Sequence, residues 1–288
     1  MKKIIPVILS GFMLLSCNQS KLKYPETFKE DVSDTYFGTQ VSDPYRWLED
    51  DKSERVADWV KEQNEVTFGY LNSIPFRGSI KNRLSELFDY SSVSAPFMEG
   101  GKIFSYRREG MQDQWVLYVQ SSADDEPKVL IDPNKFSDDG TVALSNVAVS
   151  RDGKYIAYAV ADGGSDWNKI KVRLIDSAKD LDDEVKWVKF SSIQWFKDGF
   201  FYSCYDAPQG GSELSTKNEY HKVYYHKVGT SQNDDKLVFQ NQAEPLRNFS
   251  AQVTSDEKFL IISESESTQG NSLYIRNLNT DHDFIKLT

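Results

Sequence analysis

Asp152-Gly153-Lys154-Tyr155-Ile156-Ala157-Tyr158 is a tight turn feeding a short strand, and its pattern recurs three more times in the chain. The Asp-Gly pair supplies the turn, and the apolar and aromatic residues behind it supply strand propensity. The parallel segments are Gly100-Gly101-Lys102-Ile103-Phe104-Ser105-Tyr106, Asp198-Gly199-Phe200-Phe201-Tyr202 and Asp256-Glu257-Lys258-Phe259-Leu260-Ile261-Ile262. Each is followed by a second strand-like run: Trp115–Val119, Lys171–Ile175, Lys222–His226 and Ser272–Arg276. A third run follows in turn: Lys128–Ile131, Val185–Val188, Lys236–Phe239 and Phe284–Leu287. A unit of several short strands recurring about every 50 residues predicts four-stranded blades of a β-propeller. Such a sheet cannot hide both faces alone, so copies must stack on one another. A β-sandwich is the competing architecture, but its strands need not recur with so long a period.

Upstream of these repeats the periodicity is helical. Ser53 can cap a helix over 53–71, with Val56, Trp59 and Val60 on one face. Pro75 is placed to open a second helix whose Ile80, Leu84, Leu87 and Phe88 form one apolar stripe. Residues 25–51 carry turn signals and aromatics with little periodicity.

The first residues are of another kind. Met1-Lys2-Lys3 is a short positive segment, and Ile4–Leu15 is apolar but too short to span a bilayer comfortably. Leu14-Leu15-Ser16-Cys17, followed by polar Asn18-Gln19-Ser20, resembles the lipobox of bacterial lipoproteins, although Leu15 is bulkier than is usual there. The resemblance implies a signal peptide over 1–16 and lipidation of Cys17. It further implies a lipidated tether over 17–24 and a place in the bacterial cell envelope, periplasmic or surface-facing, with the membrane reached through the lipid. The alternatives are an ordinary secretory signal with an incidental cysteine, or an uncleaved anchor. With Cys17 acylated, the one other cysteine, Cys204, has no partner for a disulfide, and its aromatic strand context reads as packing.

Chemistry is sparse. The formal charge of −10 and the lack of any basic stripe argue against a nucleic-acid partner. No Gly-x-Ser-x-Gly elbow is present; Gly163-Gly164-Ser165-Asp166-Trp167 has Trp where the last Gly is required. His221 and His226 stand five apart in or beside one strand, on opposite faces, and His282 lies in a turn between two aspartates, so all three read as structural. The acidic runs Asp180-Leu181-Asp182-Asp183-Glu184 and Asp138-Asp139-Gly140 lack EF-hand spacing and read as solvated turns. No catalytic residue, metal ligand or cofactor motif emerges from the residues themselves.

Longer strings carry a resemblance. Asp43-Pro44-Tyr45-Arg46-Trp47-Leu48-Glu49 is followed in order by Trp59-Val60-Lys61-Glu62-Gln63-Asn64 and Ile74-Pro75. Then come Val116–Gln120, Leu130-Ile131-Asp132-Pro133-Asn134, Ser137–Leu144 and Ser150-Arg151-Asp152-Gly153-Lys154. Gly164-Ser165-Asp166-Trp167 and Val188-Lys189-Phe190-Ser191 complete the set. Together they resemble the front part of the prolyl oligopeptidases, serine peptidases that cleave short peptides after proline. The resemblance implies a helical segment over 25–95 that belongs with an α/β-hydrolase domain absent from this chain. Residues 96–288 then form about four blades of a seven-bladed propeller. It implies no cofactor, with short proline-containing peptides and the hydrolase domain as partners. The Ser, Asp and His of the family's triad lie in that domain, so the chain alone is expected to be inactive. A family position that is often Phe, five residues after Trp167, is Val172 here, and its role is not carried over. The alternative is a non-catalytic periplasmic lipoprotein that uses a partial propeller as a binding module.

Overall fold

The computed structural model describes residues 22–208, 217–267, 269–280 and 282–288. The chain divides at Arg83/Leu84 into two compact units, each described by itself.

In the first unit, strands β1 (Ser33–Tyr36) and β2 (Thr39–Ser42) form a hairpin. Phe37 and Gly38 both take positive φ, 51° and 81°, which is the turn a two-residue hairpin needs. Arg46, from the Asp43–Glu49 string, pairs with Asp34 of β1 and with Asp43 at 2.9 Å, tying the string to the hairpin. Helix α1 (Glu54–Ser73) starts where Ser53 accepts a hydrogen bond from the Val56 amide at 3.2 Å. Val56 is its buried residue, and Trp59 donates its indole N–H to Thr27 Oγ1 at 3.0 Å. Helix α2 (Arg77–Phe88) follows Pro75, and the division between the units falls within it. Its stripe of Ile80, Leu84, Leu87 and Phe88 is about half exposed.

The second unit is four antiparallel blades. Blade 1 holds β3 (Ser92–Val93), β4 (Phe97–Glu99), β5 (Lys102–Arg108), β6 (Val116–Gln120) and β7 (Lys128–Ile131). Blade 2 holds β8 (Ala143–Val149), β9 (Tyr155–Ala161), β10 (Asn168–Leu174) and β11 (Lys179–Val188). In blade 3 these are β12 (Gln194–Phe196), β13 (Gly199–Cys204), β14 (Lys222–Lys227) and β15 (Lys236–Gln240). Blade 4 comprises β16 (Asn248–Val253), β17 (Phe259–Glu266), β18 (Gln269–Asn277) and β19 (Ile285–Lys286).

The first turn of blades 2 and 4 is built the same way twice. Ser150 Oγ donates to Asp152 at 2.6 Å and accepts from the Tyr155 amide, while Asp152 accepts from the Lys154 amide. Thr254, Asp256, Lys258 and Phe259 repeat that pattern bond for bond. The repeated sequence is thus a repeated local hydrogen-bond circuit.

Three cores lie between the four blades. Alternation along a strand feeds two of them at once, because successive side chains point to opposite faces. On β9, Ile156 and Tyr158 join Phe104, Leu117, Leu130 and Ile131 of blade 1, while Ala157 and Ala159 join Val185, Phe200, Tyr202 and Cys204 on the other side. On β13, Phe201 turns away from that second core to meet Phe249, Leu260 and Ile262 of blade 4. Every inner blade is therefore apolar on both faces.

Blades 2 and 3 are also joined edge to edge. Val188, the last residue of β11, pairs with Asn168 of β10 and with Cys204 of β13. Trp187 just before it takes φ +59°, the kink that lets β11 reach both sheets. No comparable ladder joins blade 1 to blade 2, or blade 3 to blade 4, among the described residues.

Candidate functional site

β4, β8, β12 and β16 are the strands that lead by a tight turn into β5, β9, β13 and β17, with which they pair. Residues from all four enclose a cavity of about 260 Å³, lined by Phe97, Val147, Val149, Trp195 and Val253 with Glu99 and Gln194. The lining is held by bonds between blades. Trp195 donates its indole N–H to Ala148 O at 2.8 Å, and Ser192 Oγ donates to Ala251 O at 2.9 Å. Arg151 also lines the cavity and reaches past blade 3 to Ser255 O, Thr254 O and Glu257 of blade 4, at 2.9, 3.2 and 3.0 Å. This surface mixes apolar side chains with one acid, one guanidinium and one amide, and its lining includes no serine, threonine or cysteine.

The polar residues singled out in the sequence fall elsewhere. Cys17 lies outside the described residues. Cys204 is a free thiol buried in the core between blades 2 and 3, and burial pushes it up to about 12, so it stays protonated. Ser165 lies in the β9–β10 turn, where its hydroxyl accepts from the Trp167 amide, and it forms no elbow. Val172 is fully buried in the same core as Cys204. His282 is exposed, beside Arg276 and Asp283.

The two strand histidines are both fully buried. His221 accepts from the Phe249 amide at Nδ1 and donates from Nε2 to Lys189 O, both at 2.9 Å. Burial holds it neutral, with its pKa lowered to about 4. His226 contacts Asp183 and Asp235. This corrects the reading of Asp180–Glu184 as a solvated turn. The run lies within β11, and Asp183 faces inward at 5% exposure. Strand alternation, not local polarity, decides where it points. Among the described residues no histidine ring bonds a serine hydroxyl, and no cluster suited to a metal ion is present. No helix there is long and apolar enough to cross a membrane.

Residues 24–288 match the family described as prolyl oligopeptidase, N-terminal beta-propeller domain. The chain belongs to this family. The prolyl endopeptidases of Elizabethkingia miricola and Elizabethkingia meningoseptica are each 46% identical to it over 288 residues, an alignment covering 99% of this chain and 41% of each relative. Prolyl oligopeptidase B from Galerina marginata, solved bound to a 35mer hydrolysis and macrocyclization substrate, superimposes with a TM-score of 0.77 at 30% identity. That match covers 91% of this chain and 41% of that one. The chain thus spans about two fifths of the relatives it matches, and that part is their N-terminal propeller portion. Its mainly β architecture agrees with the propeller expected from the repeats, and the β-sandwich reading falls away.

Proposed function

We propose that this chain serves as the propeller portion of a prolyl oligopeptidase-type serine endopeptidase, screening short proline-containing peptides on their way to a catalytic α/β-hydrolase domain. The observation that carries this reading is the match of 24–288 to the family's propeller, with four blades in place and a cavity lined by the leading strand of each. The chain's own chemistry supports a passive role, because Cys204 is a protonated core thiol and the buried histidines are committed to structural partners. A chimera tests it, with residues 24–288 replacing the matching portion of the Elizabethkingia miricola enzyme. The expected result is turnover of a chromogenic Gly-Pro peptide, abolished by a serine-directed phosphonate, while a large unfolded polypeptide is spared. A folded chimera that is inactive on the short peptide, or that degrades the polypeptide equally well, would overturn the reading.

The envelope location rests on Leu14-Leu15-Ser16-Cys17 and the apolar run before it. Cys17 carries the lipid, and the acyl chains hold the protein at the membrane. Labelled palmitate is expected to enter the wild type and not Cys17→Ala; label retained in the variant sinks the assignment.

A further inference from the structure

Three ionisable side chains occupy the seam between blades 2 and 3, where apolar packing would suffice. His226 stands on β14, Asp183 on β11 and Asp235 immediately before β15. Nε2 of His226 is 3.0 Å from Asp183 Oδ1, and Nδ1 is 2.8 Å from Asp235 Oδ1. The side chains are 0%, 2% and 1% exposed, respectively, so water does not separate them. A neutral imidazole has one N–H and one lone pair. Between two carboxylates it would turn that lone pair on an oxygen, an unmade bond in a dry site. Both short contacts are hydrogen bonds only when the cluster holds one proton more than a neutral imidazole between two carboxylates supplies, and the imidazole, more basic than a carboxylate, is the group that takes it. The carboxylates are further held from blade 3, since Tyr202 donates its hydroxyl to Asp235 Oδ2 at 2.7 Å and the Gly229 amide donates to Asp183 Oδ1 at 2.6 Å.

The surrounding charges do not compete for this role. The groove above the seam presents Asp182, Glu184 and Lys186 from β11, Cys204 and Tyr224 from blade 3, and Asp206 beyond β13. Lys186 is paired with Glu184 at 3.0 Å, and Lys222 is paired with Asp206. The ladder between the blades is one pair long, Val188 with Cys204, beside the reciprocal bonds of Gln232 with the Lys186 backbone. The Asp183–His226 bond is thus a principal polar tie across the seam.

We propose that His226 is a protonation-operated clamp between blades 2 and 3, closed while its imidazolium bridges Asp183 and Asp235 and released when alkaline conditions remove the proton. Burial by itself disfavours the charged ring, but the hydrogen bonds and charges of Asp235 and Asp183 together outweigh it and raise the pKa above the ordinary 6.5. A group whose folded pKa is raised contributes stability that is whole below its unfolded value and is lost as pH climbs toward the folded one. The clamp therefore weakens from about pH 6.5 upward. His221, five residues earlier, is the internal contrast: its pKa is depressed, so its contribution is lost on the acid side, from about pH 6.5 down toward about 4.

The test uses the full chain. As pH rises from about 6.5, below the range where Cys204 and the tyrosines intervene, the ratio of folded to unfolded protein is expected to fall, by at most about tenfold per pH unit, until the folded-state pKa of His226 is passed. Amide-exchange protection at Gly229 and Lys186 should fall with it, while Leu117 in blade 1 holds. His226→Gln should abolish the step, and Asp183→Asn should move it to lower pH. If His226→Gln does not fold, nitrogen resonances of the wild-type ring decide, and at about pH 6.5, where a free imidazole is half deprotonated, both should be protonated. A ring with one bare nitrogen at about pH 6.5, unchanged protection at Gly229, or a folded His226→Gln that keeps the step would each overturn the clamp.

Discussion

Replacing Phe200 by alanine is expected to cost about 3–5 kcal/mol, a large fraction of the about 5–15 kcal/mol that holds a typical domain folded. Phe200 is fully buried in the core shared by blades 2 and 3. Its ring meets Trp195 edge-on at 5.4 Å between centroids, and it lies 5.2 Å from His226. Truncation removes those contacts and leaves a cavity that two hydrogen-bonded sheets cannot collapse to fill. Phe190→Ala, at a side chain 57% exposed, is the control and should stay within about 0.5 kcal/mol of wild type. The measurement is the denaturant midpoint at constant slope. A Phe200→Ala loss near that of the control would mean that blades 2 and 3 do not share a core.

Gly153→Ala is expected to cost more than about 2 kcal/mol, from two separable causes. The first is conformational: Gly153 sits at φ +67°, where an L side chain costs about 1–2 kcal/mol. The second is a collision with main chain. A Cβ there would lie 2.1 Å from Gly100 O in the first turn of blade 1, and no rotamer can relieve it. Gly163→Ala separates the two causes, since that residue has φ +57° and nothing within 4 Å of the added carbon. Thermal unfolding of both variants is the check. Equal losses would show that the two turns do not press on one another in solution.

The repeated turns were legible because their residues act locally. Asp152 and Asp256 bond amides two positions on, and such circuits are written in consecutive residues. The second and third strands of each blade were legible because cores on both faces demand apolar residues. Each blade's first strand was not. β8 reads Ala-Leu-Ser-Asn-Val-Ala-Val, small and mixed, because it lines a cavity and is only partly covered. The β1–β2 hairpin was hidden by Phe37, which occupies a positive-φ turn position usually given to Asn or Gly. Asp183 was misread for a different reason. Four of the five residues from Asp180 to Glu184 are acidic, which locally signals solvent, and the histidine that neutralises the inward one lies 43 residues further on. No window short enough to show a turn can hold such a pair. His226 looked structural and is buried; what the sequence concealed was its charge.

The strand that belongs to two sheets bears on how such a molecule can change its number of blades over evolutionary time. Among the described residues, blades 1 and 2 meet without shared ladder bonds, as do blades 3 and 4, so the copying or deletion of a repeat at those junctions preserves the ladder bonds within the neighbours. Between blades 2 and 3 the same event would strip Val188 of one partner strand and leave Asp183 with no imidazole to face. These two repeats are therefore inherited as a pair, and blade gain or loss in lineages carrying this seam should fall on either side of residues 143–240 and not within them.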